Sequence, residues 1–231
     1  MFPFNSIQAR LAFVGLSLGF VGAQASAALN TLVPVADTFI TVHPNLGGAS
    51  SNHGSDAFLA VIGPHAGNAV VTHSMVRFDL SAYAGQTVTG PATFSMYVQG
   101  TDFNNPSVPD RSIILKNIVG TWDEATVTAN NASFVHGPVL DTLSIHYLTS
   151  ADDGYVSWTL PAAYVQNWID SPASNDGLFL QNVAGGPIND LQFGSRESAH
   201  QPQLAFSTIP APGCLALLGL GAAGMIRRRR A

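Results

Sequence analysis

Thr72-His73-Ser74-Met75-Val76-Arg77-Phe78-Asp79-Leu80 is the stretch on which the fold turns. In an extended chain successive side chains point to opposite faces, so Val76, Phe78 and Leu80 share one face and His73, Met75, Arg77 and Asp79 the other. One face is apolar, which predicts a strand with a single buried side. The period of two recurs outward: in Thr93 to Val98, Phe94, Met96 and Val98 oppose Thr93, Ser95 and Tyr97, and in Tyr155 to Leu160, Val156, Trp158 and Leu160 oppose Tyr155, Ser157 and Thr159. Further strands are expected at Asp37 to Val42, Ala57 to Ile62, Arg111 to Val119, Gly177 to Gln181, Asp190 to Phe193 and Gln203 to Ser207, separated by Gly, Pro, Asn and Asp. Asp152-Asp153-Gly154 is expected as a hairpin turn. The apolar faces are best buried against each other, giving an all-β, two-sheet antiparallel β-sandwich of jelly-roll type. One helix is expected after Pro161, with Val165, Trp168 and Ile169 on one side and Ser171-Pro172 ending it, capping one end of the sandwich.

The 231 residues suit one large sandwich, and with 46% hydrophobic and 10% charged residues there is ample material for a core. All 14 acids lie between Asp37 and Glu197, where the only bases are Arg77, Arg111, Lys116 and Arg196. A nucleic-acid surface needs clustered Lys and Arg to displace phosphate counterions, so nucleic acid is excluded as a partner. The single cysteine, Cys214, forms neither an intrachain disulfide nor a thiolate cage.

Both ends read as addresses. Arg10 precedes the apolar run Leu11 to Val21 and the small residues Ala25-Ser26-Ala27, the layout of a signal peptide over residues 1–27, with signal peptidase cutting between Ala27 and Ala28. At the other end Pro210-Ala211-Pro212-Gly213 leads into an apolar run from Cys214 to Ile226, then Arg227-Arg228-Arg229-Arg230. At ~1.5 Å rise per residue that run is short for a durable span, so transient membrane insertion followed by removal is expected. Residues 209–231 resemble the PEP-CTERM sorting signal of Gram-negative bacteria, with Ala211 where the name motif has Glu. The resemblance implies an exosortase-type processing enzyme as partner and export to the cell envelope, outer surface or extracellular matrix. Gly15 to Gly19 and Gly219 to Gly224 mimic a nucleophile elbow and a dinucleotide fingerprint, but no strand precedes either.

The order of motifs between the ends is also informative. Ala36-Asp37-Thr38-Phe39-Ile40, Val76 to Ser81, Ala92 to Val98, Thr121-Trp122-Asp123-Glu124-Ala125-Thr126-Val127-Thr128, Val156-Ser157-Trp158 and Gly194-Ser195-Arg196-Glu197 follow one another. The series resembles the DNRLRE domain, a β-sandwich grouped with carbohydrate-binding module family 96, over residues 28–208. The resemblance implies a non-catalytic extracellular module, some members of which bind acidic polysaccharides such as alginate.

Sugar recognition needs an aromatic plate ringed by hydrogen-bonding groups, and an acidic glycan also needs Arg or Lys. His73 and Arg77 share a strand face, Tyr97 would join them if the strands are neighbours, and Lys116 and Arg196 are alternatives. Trp158 and Trp168 are expected in the core, with Trp122 at a strand end. His43, His53, His65 and His73 fit no short metal motif and are read as surface-loop histidines. No cofactor is required; a structural Ca²⁺ would suit Asp37, Asp56 and the carbonyls of the Asn45 to Ser55 loop. No acid pair stands out for a glycosidase, since Asp123 and Glu124 are adjacent and should diverge. The expected function is an exported, non-catalytic surface or matrix protein that binds extracellular polysaccharide. A purely structural surface protein and a polysaccharide-acting enzyme stay open as alternatives.

Overall fold

Each apolar alternation in the sequence becomes a rung of one antiparallel sheet that curls on itself. The computed structural model describes residues 26–64, 71–99, 110–146, 149–183 and 190–210. The strands are β1 (Ala28–Leu32), β2 (Ala36–Thr41), β3 (Phe58–Ile62), β4 (Thr72–Arg77), β5 (Gln86–Val88), β6 (Ala92–Gln99), β7 (Asp110–Val119), β8 (Val135–His146), β9 (Gly154–Leu160), β10 (Leu178–Asn182), β11 (Asp190–Gly194) and β12 (Gln203–Pro210). Helix α1 (Ala162–Asp170) is the expected one, with Val165, Trp168 and Ile169 buried.

One half of the sheet runs β2-β4-β10-β7-β8. The other is centred on β6, which pairs with β9 along one edge and shares the other between β11 and β12; β3 extends β11, and β1 and β5 extend β12. The halves are stitched together by a single residue pair, Ile62 with Thr72. The architecture is thus all-β and sandwich-like, its two layers continuous through that seam. Val76, Leu178, Leu180, Ile113 and Leu115 from the first half meet Phe94, Met96, Trp158, Phe193 and Phe206 from the second in one core. Trp158, fully buried, donates its indole N–H to the Ile113 carbonyl at 3.2 Å and so ties β9 to β7 across that core. Burying side chains of this size contributes roughly 1.5–3 kcal/mol each. Helix α1 closes one end: Gln166 accepts from the Val88 N–H and donates to the Gln86 carbonyl, anchoring the helix to β5.

The expectation of one buried face for Thr72 to Leu80 needs correction. Pairing stops at Arg77, and Met75, on the face assigned to solvent, is fully buried with Ala36, Ile118, Trp122, Val127 and Phe179 in a second cluster. The segment after Gly120 folds over that outer face, and Trp122 is held down by its N–H donating to the Asp176 carbonyl at 2.6 Å. Next to Asp176, Gly177 takes φ +101°, and a Cβ there would sit 2.6 Å from the Val76 carbonyl oxygen. Asp152-Asp153-Gly154 also differs from expectation. Ser150–Asp152 is a 3-10 turn closed by a capping box with Thr149, and Gly154 already belongs to β9 with no positive φ.

Candidate functional site

The turn after β11 brings Arg196 and Glu197 beside Asp37 on β2 and Glu124 in the covering segment. Arg196 donates from Nε and Nη2 to Glu124 at 3.0 and 2.9 Å, and its Nε also lies 2.9 Å from a Glu197 oxygen. Asp37 accepts the Arg196 backbone N–H at 2.8 Å, and its own N–H donates to Glu124 at 2.8 Å. Carboxylate oxygens of Asp37, Glu124 and Glu197 lie within 4.8 Å of one another. Burial pushes the Asp37 carboxyl up to about 7; Glu197 and Glu124 add to the rise, while the Arg196 N–H and guanidinium oppose it. Asp56, the other residue considered for Ca²⁺, places its carboxylate 2.8 Å from His53 Nδ1. The Asn45 to Ser55 loop packs beside this group, with Asn52 donating to the Glu124 and Val127 carbonyls, both at 2.8 Å. As expected, Asp123 diverges from Glu124: it accepts from Thr126, while Glu124 turns to Arg196.

Two of the four histidines read as surface-loop residues are packed instead. His53 stacks on Phe39 with ring centroids 3.9 Å apart. His73 lies on β4 against Phe179 at 4.9 Å, its Nδ1 buried without a partner. Burial, then the nearby His136 and Lys116 charges, lower its pKa to about 4. His65 lies outside the described residues.

The cationic candidates are all engaged. Arg77 sits 4.9 Å over the Trp122 ring and donates to the Trp122 carbonyl at 3.3 Å. Lys116 donates to Gln181 at 3.1 Å. Arg196 is held in the carboxylate group, and Arg111 is fully buried.

Tyr97 does not join His73 and Arg77, because β6 and β4 belong to different halves of the sheet. It pairs in register with Tyr155 on β9, with the two rings edge-to-face at 5.3 Å, and the His200 ring stacks on it at 4.0 Å and 15°. The Tyr155 hydroxyl donates to the Gln201 carbonyl at 3.2 Å and accepts from Gln203 at 3.3 Å. Sequence reasoning missed Tyr155 and His200. Tyr155 was legible as an outward residue of its strand, but its pairing with Tyr97 was not, and His200 lies in a loop without periodicity.

The fold is sandwich-like and all-β, and its β6–β9 edge carries an outward aromatic group of Tyr97, Tyr155 and His200. The chain belongs to carbohydrate-binding module family 96, whose family model matches residues 28–208. Carbohydrate binding is therefore the family's chemistry and polysaccharide its class of partner. No curated protein matches the chain.

Proposed function

We propose that this protein is an exported surface or matrix component that binds extracellular polysaccharide through its β-sandwich and performs no chemistry on it. The observation that carries the reading is the family match, which spans the whole sandwich from β1 to β12. The finer likeness to DNRLRE domains, stated from the motif order, agrees with it. A panel of immobilised neutral and acidic glycans tests it: the purified protein is retained by at least one, and no new reducing ends appear. Release of reducing ends would favour the enzyme alternative, and retention by none would favour a purely structural protein.

Export is supported by the layout of the two ends. Removal of residues 1–27 would leave β1 whole, since it begins at Ala28 and pairs Ala28 with Thr208. Ala211, Pro212, Gly213 and Arg227 to Arg230 lie outside the described residues; Pro210 ends β12, paired with Gln86. Mass spectrometry of the protein from its native envelope should find Ala28 at the N-terminus and the arginine cluster gone. A structural Ca²⁺ would be held by Asp37 with Glu124 and Glu197, which offer the hard oxygen donors this ion takes, rather than by Asp37 with Asp56. A rise in melting temperature with CaCl₂, reversed by chelator, tests this.

A further inference from the structure

The outward face of β9, β6, β12 and β1 is lined mainly by uncharged polar and aromatic side chains. Register aligns it in rows. Tyr155 lies beside Tyr97, Ser157 beside Ser95 and Gln203, and Thr159 beside Thr93 and Ala205, with Ser95 and Ser157 sharing a hydrogen bond at 2.8 Å. Beyond Ala205 and Ser207 the face continues on β1 through Thr31 and Leu29. None of these outward residues is charged. One end bears the only aromatic group on the face among the described residues, Tyr97 with Tyr155 and the exposed His200 ring; Tyr155 keeps 46% of its surface open.

We infer that this face is the glycan-binding surface and that its ligand is an uncharged polysaccharide. The inference rests on the carbohydrate-binding reading above and names its site and substrate class. An aromatic group offers a sugar ring's apolar face a stacking surface, and the adjoining hydroxyls and the Gln203 amide offer donors and acceptors for neutral hydroxyl groups. Among the described residues this face offers a uronate no lysine or arginine. Elsewhere the four bases between Asp37 and Glu197 are each already engaged or buried, against 14 acids over the same span. The field around the domain therefore repels a polyanion at long range and no lysine or arginine described on this face pairs it at contact.

Affinity electrophoresis of the purified protein separates the outcomes, using gels cast with a neutral β-glucan, a galactomannan, alginate or polygalacturonate. Retardation is expected in at least one neutral gel, weakened about tenfold by Tyr155→Ala and by His200→Ala, the loss that ~1.4 kcal/mol of stacking would give. Ser157→Glu, which sets a charge on the exposed face, should weaken it as much, while Val139→Ala on β8 should leave it unchanged; circular dichroism checks that each variant is folded. Retardation by the acidic polymers alone, lost in Lys116→Ala, would overturn the inference and leave the carbohydrate reading standing. Retardation by none would overturn both. A dimer in light scattering that Tyr155→Ala dissociates, with no glycan retained, would show that this face meets a second copy instead and would also overturn it.

Discussion

Arg196 grips Glu124 with two prongs, Nε to Oε1 at 3.0 Å and Nη2 to Oε2 at 2.9 Å, across 72 residues of chain. Glu124 also accepts the Asp37 N–H, so this one carboxylate joins the turn after β11, the start of β2 and the segment that covers the outer cluster. Charge-assisted, bidentate bonds of this kind are the stronger sort. Arg196→Ala would leave three carboxylates facing one another without their cation. We expect a loss of about 2 kcal/mol in urea unfolding, with Arg196→Lys recovering only part because an ammonium cannot match the fork. An unchanged unfolding midpoint for Arg196→Ala would show that solvent takes over the cation's role.

Asp37 and His73 give the pH dependence of stability two opposed parts. Folded Asp37 holds its proton up to about 7 against an ordinary value of 3.8, so between those values the folded state binds more protons and stability falls as pH rises. Its neighbours are Glu124, Glu197 and Arg196. Folded His73 ionises only near 4 against an ordinary 6.5, so across that window the unfolded state binds more protons and stability rises with pH; the groups facing it are His136 and Lys116. The two trends oppose each other from about pH 4 to 6.5; above that only the Asp37 fall persists, and it levels off past about pH 7. Urea midpoints from pH 4.5 to 8 should therefore change little at first and then drop. Asp37→Asn should remove the drop and uncover a rise, and His73→Gln should extend the fall down to about pH 4.

The Trp158 indole is enclosed on all sides and spans the two halves of the sheet through the Ile113 carbonyl. Trp158→Phe keeps a ring but leaves a cavity and loses the hydrogen bond to the Ile113 carbonyl. A destabilisation of about 2–3 kcal/mol is expected by thermal or urea unfolding, and about 3–5 kcal/mol for Trp158→Ala. A loss under 1 kcal/mol for the phenylalanine variant would mean that neither the hydrogen bond nor the lost volume matters there.

Gly177 has both a left-handed φ and no room for a side chain, and its carbonyl accepts from Ile118 N–H at 2.9 Å. Gly177→Ala has to displace the Val76 carbonyl or the start of β10, so a loss of about 2–3 kcal/mol is expected. Gly85, also at positive φ but with open space around it, is the control: Gly85→Ala should cost only about 1 kcal/mol.

The strands that alternation made visible are those with one apolar face. β6, β9 and β12 keep a strict in-and-out burial along most of their lengths, and the helix at Val165, Trp168 and Ile169 declared itself by spacing. Three strands were not legible. β8 is an edge strand of 12 residues whose first half contains Gly137 and Pro138 and whose pairing with β7 is broken by register shifts; its alternation is confined to Thr142 to His146, where Leu143 and Ile145 turn inward. β1 and β5 are short additions to β12, dictated by the neighbour they pair with rather than by their own pattern.

Residue order alone was enough for the all-β class, the core tryptophans, the helix and the scarcity of bases, because burial against a single layer writes itself into each strand with a period of two. The three-dimensional fold decided which strands lie side by side, that Met75 has a second layer over it, and that Asp37, Glu124 and Glu197 converge from distant segments. It also parted Tyr97 from Arg77 and set it beside Tyr155 and His200. Pairing between strands depends on long-range hydrogen bonds and on which loop covers which face, and local periodicity carries no record of either.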